Sequence, residues 1–225
     1  MLSLRNSFVL ISGALLLFAC QPDTAGEVPT DSGGQANFAH DLSTVHAGGA
    51  TKEGTAIVPW PSTSISYAFD GMHPDLDEAT YRNEVRAALD EWTRATDSRR
   101  IFHGIDDPRQ AQVVFGFRRA DHMGTAKCED AFSGGKLTIA HAFTFESTCL
   151  AGIIHLNQDL KWVMDGSNRK GTYDVRYAVL HEVGHILGLN HVNTPGNIMY
   201  ADYVGVVRKL TDEESLAVIA VLDGK

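Results

Sequence analysis

Residues 181–191 read HEVGHILGLNH, from His181 to His191, and the rest of the chain is organised around them. On a helix His181 and His185 are four residues apart, so they lie on one face, one turn above the other. Glu182 sits beside the first, placed to reach a water on a shared ion. Gly188 follows His185 by three residues, where a helix can end in a left-handed turn that glycine enters at little cost. The chain can then double back and bring His191 to the same ion. Three neutral imidazoles and one water leave a four-coordinate zinc with an open position, which is the catalytic arrangement rather than the structural one.

Met199 follows His191 by eight residues, in Asn197-Ile198-Met199-Tyr200. The pattern H-E-x-x-H-x-x-G-x-x-H with a downstream methionine resembles the metzincin clan of metalloproteases. Val192 after the third histidine and the eight-residue gap are similar to its matrixin branch, the matrix metalloproteinases. The resemblance covers roughly Trp60 to the C-terminus. It implies an α+β catalytic domain over residues 56–225. This has a twisted, mostly parallel sheet with one antiparallel edge strand, a long backing helix, the active-site helix, and a C-terminal helix after the Met-turn. It also implies zinc-dependent hydrolysis of peptide bonds in a protein or peptide substrate, with His181, His185 and His191 as ligands and Glu182 as general base. Met199 is implied as an apolar floor under the imidazoles, not a ligand. Two readings from other classes stand beside this one. One is a lipid-anchored binding or adhesion protein with a non-catalytic zinc, against which the intact Glu182 argues. The other is a zinc amidase acting on cell-wall peptides, whose metal chemistry would be the same.

The chain has 225 residues, enough for one domain with a sizeable core, and a formal net charge of -9. That charge argues against nucleic acid as a partner and against an anionic membrane surface. The chain is read as a monomer. Residues 1–20 read as an export signal, with Arg5 ahead of an eleven-residue apolar run, Phe8 to Phe18, too short to span a bilayer. Leu17-Phe18-Ala19-Cys20 resembles a bacterial lipobox, which implies lipid on Cys20. That lipid would be the chain's only tie to a membrane. Gln21 rather than Asp after it favours the outer membrane, with secretion as the alternative. If Cys20 carries lipid, Cys128 and Cys149 remain of the three cysteines, a pair for an oxidising compartment. Their bridge would close a loop of about twenty residues, worth ~3 kcal/mol through the unfolded state.

Residues 21–55 are rich in Gly, Thr, Ala, Asp and Ser and poor in large apolar groups, so they read as a flexible tether. His40 and His46 within it read as solvated. The tether lacks the cysteine with which matrixin pro-segments hold the zinc latent.

The domain starts near Val58-Pro59-Trp60. Ser64 to Phe69, SISYAF, alternates like a half-buried strand. A helix is expected from about Asp77 to Thr96, burying Tyr81, Val85, Ala88, Leu89 and Trp92. Ala111 to Phe117 reads as a second strand, with further strands within Lys136 to Phe145 and at Ile153 to Leu156. The resemblance makes the former the edge strand beside the substrate, with Ala142 bordering it. It also puts His122, His141 and His155 where matrixins bind a second, structural zinc. Gly124 stands where that family has an aspartate ligand. Asp121, Glu129 or Asp130 could substitute, or the Cys128–Cys149 bridge could replace the metal as a staple. Calcium has less support, because the acidic run after the third histidine is reduced to Asn157 and Asp159.

Asp174 is a candidate N-cap for the active-site helix, whose Val175, Val179, Val183 and Ile186 can face the sheet. Thr211-Asp212-Glu213-Glu214 is a capping box that opens the last helix. Leu216, Ile219, Ala220 and Leu222 are expected on that helix's inner face. Tyr177 lies one turn before His181 on nearly the same face. The resemblance makes it the base of the pocket for the side chain after the scissile bond, with Tyr200 to Val206 as the opposite wall. A tyrosine there implies a shallow pocket that suits Leu, Ile or Met. The alternative is a core position outside the pocket.

Overall fold

The computed structural model describes residues 57–119, 138–147 and 151–225. The proposed signal, Cys20, the tether with His40 and His46, and His122, Cys128 and Cys149 lie outside them.

A five-stranded sheet carries the molecule. It is built from β1 (Ser64–Phe69), β2 (Ile101–Gly104), β3 (Val113–Arg118), β4 (Ala140–Ala142) and β5 (Ile153–Asn157). Their order is β2-β1-β3-β5-β4. All pairs are parallel except the last, where β4 runs antiparallel to β5 at the edge. The expected mostly parallel sheet with one antiparallel edge strand is thus present. β1 departs from the expected half-buried alternation. Ile65, Ser66, Tyr67 and Ala68 are all buried, because both faces of this strand are covered. Ser66 meets its burial by hydrogen bonding with Gln112, whose side chain accepts the Ser66 N–H at 3.0 Å.

The helix α1 (Glu78–Ala95) opens on Asp77, whose side chain accepts the Thr80 N–H at 2.8 Å. Its apolar stripe falls where the periodicity placed it: Tyr81, Val85, Ala88, Leu89 and Trp92 are buried. Tyr81 meets Phe69 of β1 and Phe117 of β3, with ring centroids 5.5 and 5.3 Å apart. This seats α1 on the sheet. At its other end, the Trp92 Nε1–H donates to the Leu180 carbonyl at 3.0 Å, which joins α1 to the helix that carries the histidines.

That helix, α2 (Val175–Ile186), is packed on every side, since all of its residues except Arg176 are buried. Just before it, β6 (Trp162–Val163) and β7 (Tyr173–Asp174) form a two-stranded parallel ladder that the sequence did not suggest. The chain closes with α3 (Asp212–Leu222), whose capping box is present as expected. Its inner face is not as expected. Leu216 is 68% exposed, whereas Glu214 and Val218 are buried. The helix is turned by its buried polar residue, Glu214, which the apolar pattern alone does not count. No helix among the described residues is long and apolar enough to cross a membrane.

Candidate active site

Three local devices bring the histidines together. The first is the start of α2, where the Asp174 side chain accepts the Tyr177 N–H at 3.0 Å. This fixes the helical frame in which His181 and His185 share a face. The second is the end of α2. The Gly188 N–H donates to the His185 carbonyl and the Leu189 N–H to the Gly184 carbonyl, at 3.0 and 2.9 Å. That pair of bonds is a Schellman motif, and Gly188 sits in it at φ +96°. A side chain there would also meet Val221 and Pro59. The turn aims the Leu189 carbonyl back at the helix, where it accepts Nδ1–H of His185 at 2.7 Å.

The third device is the Met-turn. Asn197 Oδ1 accepts the Met199 N–H at 2.8 Å, and the Val192 N–H donates to the Met199 carbonyl at 3.0 Å. The turn holds the Ile198 peptide so that its carbonyl accepts Nδ1–H of His181 at 2.6 Å. Its N–H donates to Glu214 Oε1 at 2.6 Å, while Glu214 Oε2 accepts the Thr211 N–H at 2.7 Å. The capping box of α3 is therefore also a strut under the first histidine.

The consequences are chemical. A neutral imidazole has one N–H and one lone pair. His181 and His185 both spend the N–H of Nδ1 on carbonyls, so both present a bare Nε2. Those two atoms lie 3.2 Å apart, and Nε2 of His191 lies 3.1 Å from that of His181. Lone pairs facing one another at this distance repel unless a cation lies among them. Zinc–nitrogen bonds of about 2.0–2.1 Å at a tetrahedral angle would space the nitrogens about 3.3 Å apart, close to what the three rings offer. Among the described residues, these three form the one group of three or more metal-capable side chains with converging ligand atoms. The donor set and the hydrogen-bonded outer shell both fit zinc.

Glu182 completes the site. It is fully buried, and neither carboxylate oxygen has a hydrogen-bond partner among the described residues. Burial pushes its carboxyl well above the ordinary carboxylate range. A buried carboxylate left without protein donors is costly to keep for structure alone. Its position suits a group whose partner comes from outside the chain.

A scan against family models matches Matrixin, peptidase family M10, over residues 59–219. The chain belongs to the matrixin family. It is 30% identical over 145 residues to the interstitial collagenase of Oryctolagus cuniculus, across 64% of this chain and 28% of that protein. It is 28% identical over 161 residues to karilysin of Tannerella forsythia, across 71% and 32%. With human matrilysin the identity is 32% over 146 residues, across 64% and 50%. The chain thus spans between about a quarter and a half of the length of these matrixins.

The remaining expected residues fall as follows. Met199 is buried and packs on Gly184, between the two helical ligands. Ala142 is on β4, the edge strand of the sheet among the described residues, with its side chain buried and its backbone paired with Ile154. Tyr200 is half-buried and bridges Val192, next to His191. Tyr177 is 1% exposed, and its ring lies edge-on to Tyr203 at 4.9 Å, so it meets the segment after the Met-turn. His141 and His155 are buried cross-strand partners on β4 and β5, with Nε2 and Nδ1 3.2 Å apart. Three participants were not foreseen: Gly184, which occupies a free position of the motif, and the carbonyls of Ile198 and Leu189. The carbonyls carry no side-chain signal. The matrixin turn around Gly188 was the one hint that Leu189 would face back.

Proposed function

We propose that this matrixin is a zinc endopeptidase that cleaves proteins or peptides, exported and held at the cell envelope by lipid on Cys20. The observation that carries the reading is the convergence of the three Nε2 atoms of His181, His185 and His191 beside a buried Glu182 whose carboxylate has no hydrogen-bond partner among the described residues. Zinc held by His181, His185 and His191 supplies Lewis-acid polarisation of a carbonyl and makes a water more acidic. Glu182 takes the proton of that water on a carboxylate oxygen. It later gives the proton to the departing amine, so one group serves as base and then acid. The carbonyls of Ile198 and Leu189 keep His181 and His185 in the tautomer with Nε2 free throughout. Met199, seated on Gly184, orders the ligand-bearing turn of the helix.

The outer edge of β4, the last strand among the described residues, suits an extended substrate, which would pair with its backbone and run past the histidines. Tyr177 closes the base of the pocket beside the metal, with the Tyr203 ring against it. This shallow floor favours Leu, Ile or Met after the scissile bond. A second ion held by His141 and His155 with His122 would staple β4 to β5, a task that a Cys128–Cys149 bridge could serve instead.

The test is digestion of a mixed peptide library by the purified protein, with and without chelator, beside Glu182→Ala. Zinc-dependent cleavage within peptides is expected, with Glu182→Ala keeping its zinc but losing at least about 100-fold of the rate. Cleavage only of cell-wall peptides would move the assignment to an amidase. Near-normal activity of the variant would place the base elsewhere.

A further inference from the structure

The chain between the Met-turn and α3 starts at the metal site and ends in an ionic cluster. It leaves the site at Tyr200, beside Val192 and His191. Two of its side chains then converge on one residue, Asp174. The Tyr203 hydroxyl accepts the Asp174 backbone N–H at 3.1 Å. Arg208 Nη1 donates to Asp174 Oδ2 at 2.6 Å, and its Nη2 donates to Glu84 Oε2 on α1. Glu84 also accepts Nε and Nη2 of Arg176, at 2.8 and 3.0 Å. Two carboxylates and two guanidiniums therefore close a neutral cluster. Asp174, its innermost member, is also the N-cap of the helix that carries two of the metal ligands.

A buried ion pair is weak support for stability, because desolvation offsets most of the attraction. What such a pair does give is position. A guanidinium is a planar fork with fixed donor directions, and here one fork spans two carboxylates on two different elements. Between the anchors at Tyr203 and Arg208, Val204 is 46% exposed and Val207 packs against the core. At the Tyr203 anchor the ring is wedged edge-on between Tyr177 at 4.9 Å and Tyr173 at 5.2 Å. Tyr203 and Arg208 thus both tie this segment to the first turn of α2, through the cap residue Asp174.

We propose that Arg208 is a positioning residue for substrate selection. By bridging Glu84 and Asp174 it holds the segment from Tyr200 to Arg208, with the Tyr203 ring, at a fixed distance from α2. It thereby sets the width of the pocket that receives an apolar side chain beside the metal. The inference rests on the endopeptidase reading for the identity of the ligand, a peptide with a medium-sized aliphatic residue.

The experiment uses the full chain loaded with zinc and two variants outside the metal site. Arg208→Met keeps the length of the side chain and removes the fork. Asp174→Asn keeps an N-capping oxygen and removes the charge. The first readout is binding by calorimetry of two peptide hydroxamates that differ only in carrying Leu or Phe at the pocket position. The second is the cleavage profile, with KM and kcat measured separately. Zinc content should stay at the wild-type value in both variants. The wild-type preference for Leu over Phe should shrink by at least about fivefold in both, since a small change in pocket fit is worth a factor of that size. KM should carry more of the change than kcat. Arg208→Lys should recover only part of the preference, because one ammonium cannot span both carboxylates. An unchanged Leu-to-Phe ratio in either folded, zinc-loaded variant would overturn the proposal and leave the cluster a purely structural role. A wild type that binds the hydroxamates but cleaves nothing would instead sink the endopeptidase reading, while the binding ratio still tests the clamp.

Discussion

Between His181 and His185, Gly184 brings the backbone of helix α2 close against Met199 and Trp92. A Cβ built there would lie 2.3 Å from Met199 Sδ, 3.1 Å from its Cε and 3.3 Å from Trp92 Cζ2. Glycine in a helix costs about 1 kcal/mol against alanine, so exposed positions of this kind usually gain from the exchange. Here the gain is outweighed, because the added methyl must displace the Met-turn, and overpacking a closed core costs about 1–3 kcal/mol. Gly184→Ala should therefore lower stability by about 1 kcal/mol or more. It should also weaken zinc binding, since the same turn holds the carbonyl that orients His181. Urea unfolding and competition against a chromophoric chelator check the two halves. A variant as stable as wild type with unchanged zinc affinity would show that the Met-turn yields without disturbing the ligands. In the motif this residue is a free position, and its constraint comes from a methionine fifteen residues away in sequence. That is why pattern reading passes over it while finding the ligands themselves.

Elements were legible in the sequence where their signals are local. Asp77, Asp174 and the Thr211–Glu214 box open their helices as their side chains suggest, because a cap is a contact within one turn. The convergence of the three histidines is legible for the same reason, with helix period and one glycine turn supplying the geometry. β2 was not, since Ile101–Gly104 is a short, largely exposed edge strand without alternation. The β6–β7 ladder is two residues per strand and depends on its surroundings. The facing of α3 was misread because its inner side is led by a glutamate. Glu214 is 3% exposed and accepts from the N–H groups of Ile198 and Thr211. Its removal would leave the buried Ile198 N–H without a partner, worth about 1–3 kcal/mol, while the N–H of exposed Thr211 would turn to water. Glu214→Ala should thus lower stability by about 1–3 kcal/mol. It should also loosen zinc, with outer-shell losses of this kind costing about 10-fold or more in affinity. Leu216→Ala on the exposed side of the same helix should change stability by no more than about 0.5 kcal/mol. Equal losses from the two variants, measured by denaturant unfolding, would contradict this facing of α3.

At the scale of the whole molecule, the metal ligands are distributed so that binding and folding reinforce one another. His181 and His185 come from α2 and His191 from the turn after it; the carbonyls that orient the first two come from Leu189 in that turn and from Ile198 in the Met-turn, which α3 holds through Glu214. An unfolded chain brings none of these together, so zinc binds the folded state by preference and its binding energy becomes folding energy. At zinc 100-fold above its dissociation constant the expected stabilisation is about 2.7 kcal/mol. Removing zinc with a chelator should therefore lower Tm by several degrees and restoring it should reverse the change. In His185→Ala most of this response should vanish, because two imidazoles hold the ion far less tightly than three. Any response that remains has a second candidate location. His141 and His155 face each other across β4 and β5, and an ion there would staple the edge strand to the sheet. A residual chelator effect in His185→Ala should accordingly disappear in the double variant with His141→Ala. Melting curves of the three proteins, each with and without chelator and beside a zinc count, separate the two sites. Full retention of the wild-type response in His185→Ala would show that the triad does not couple metal to folding.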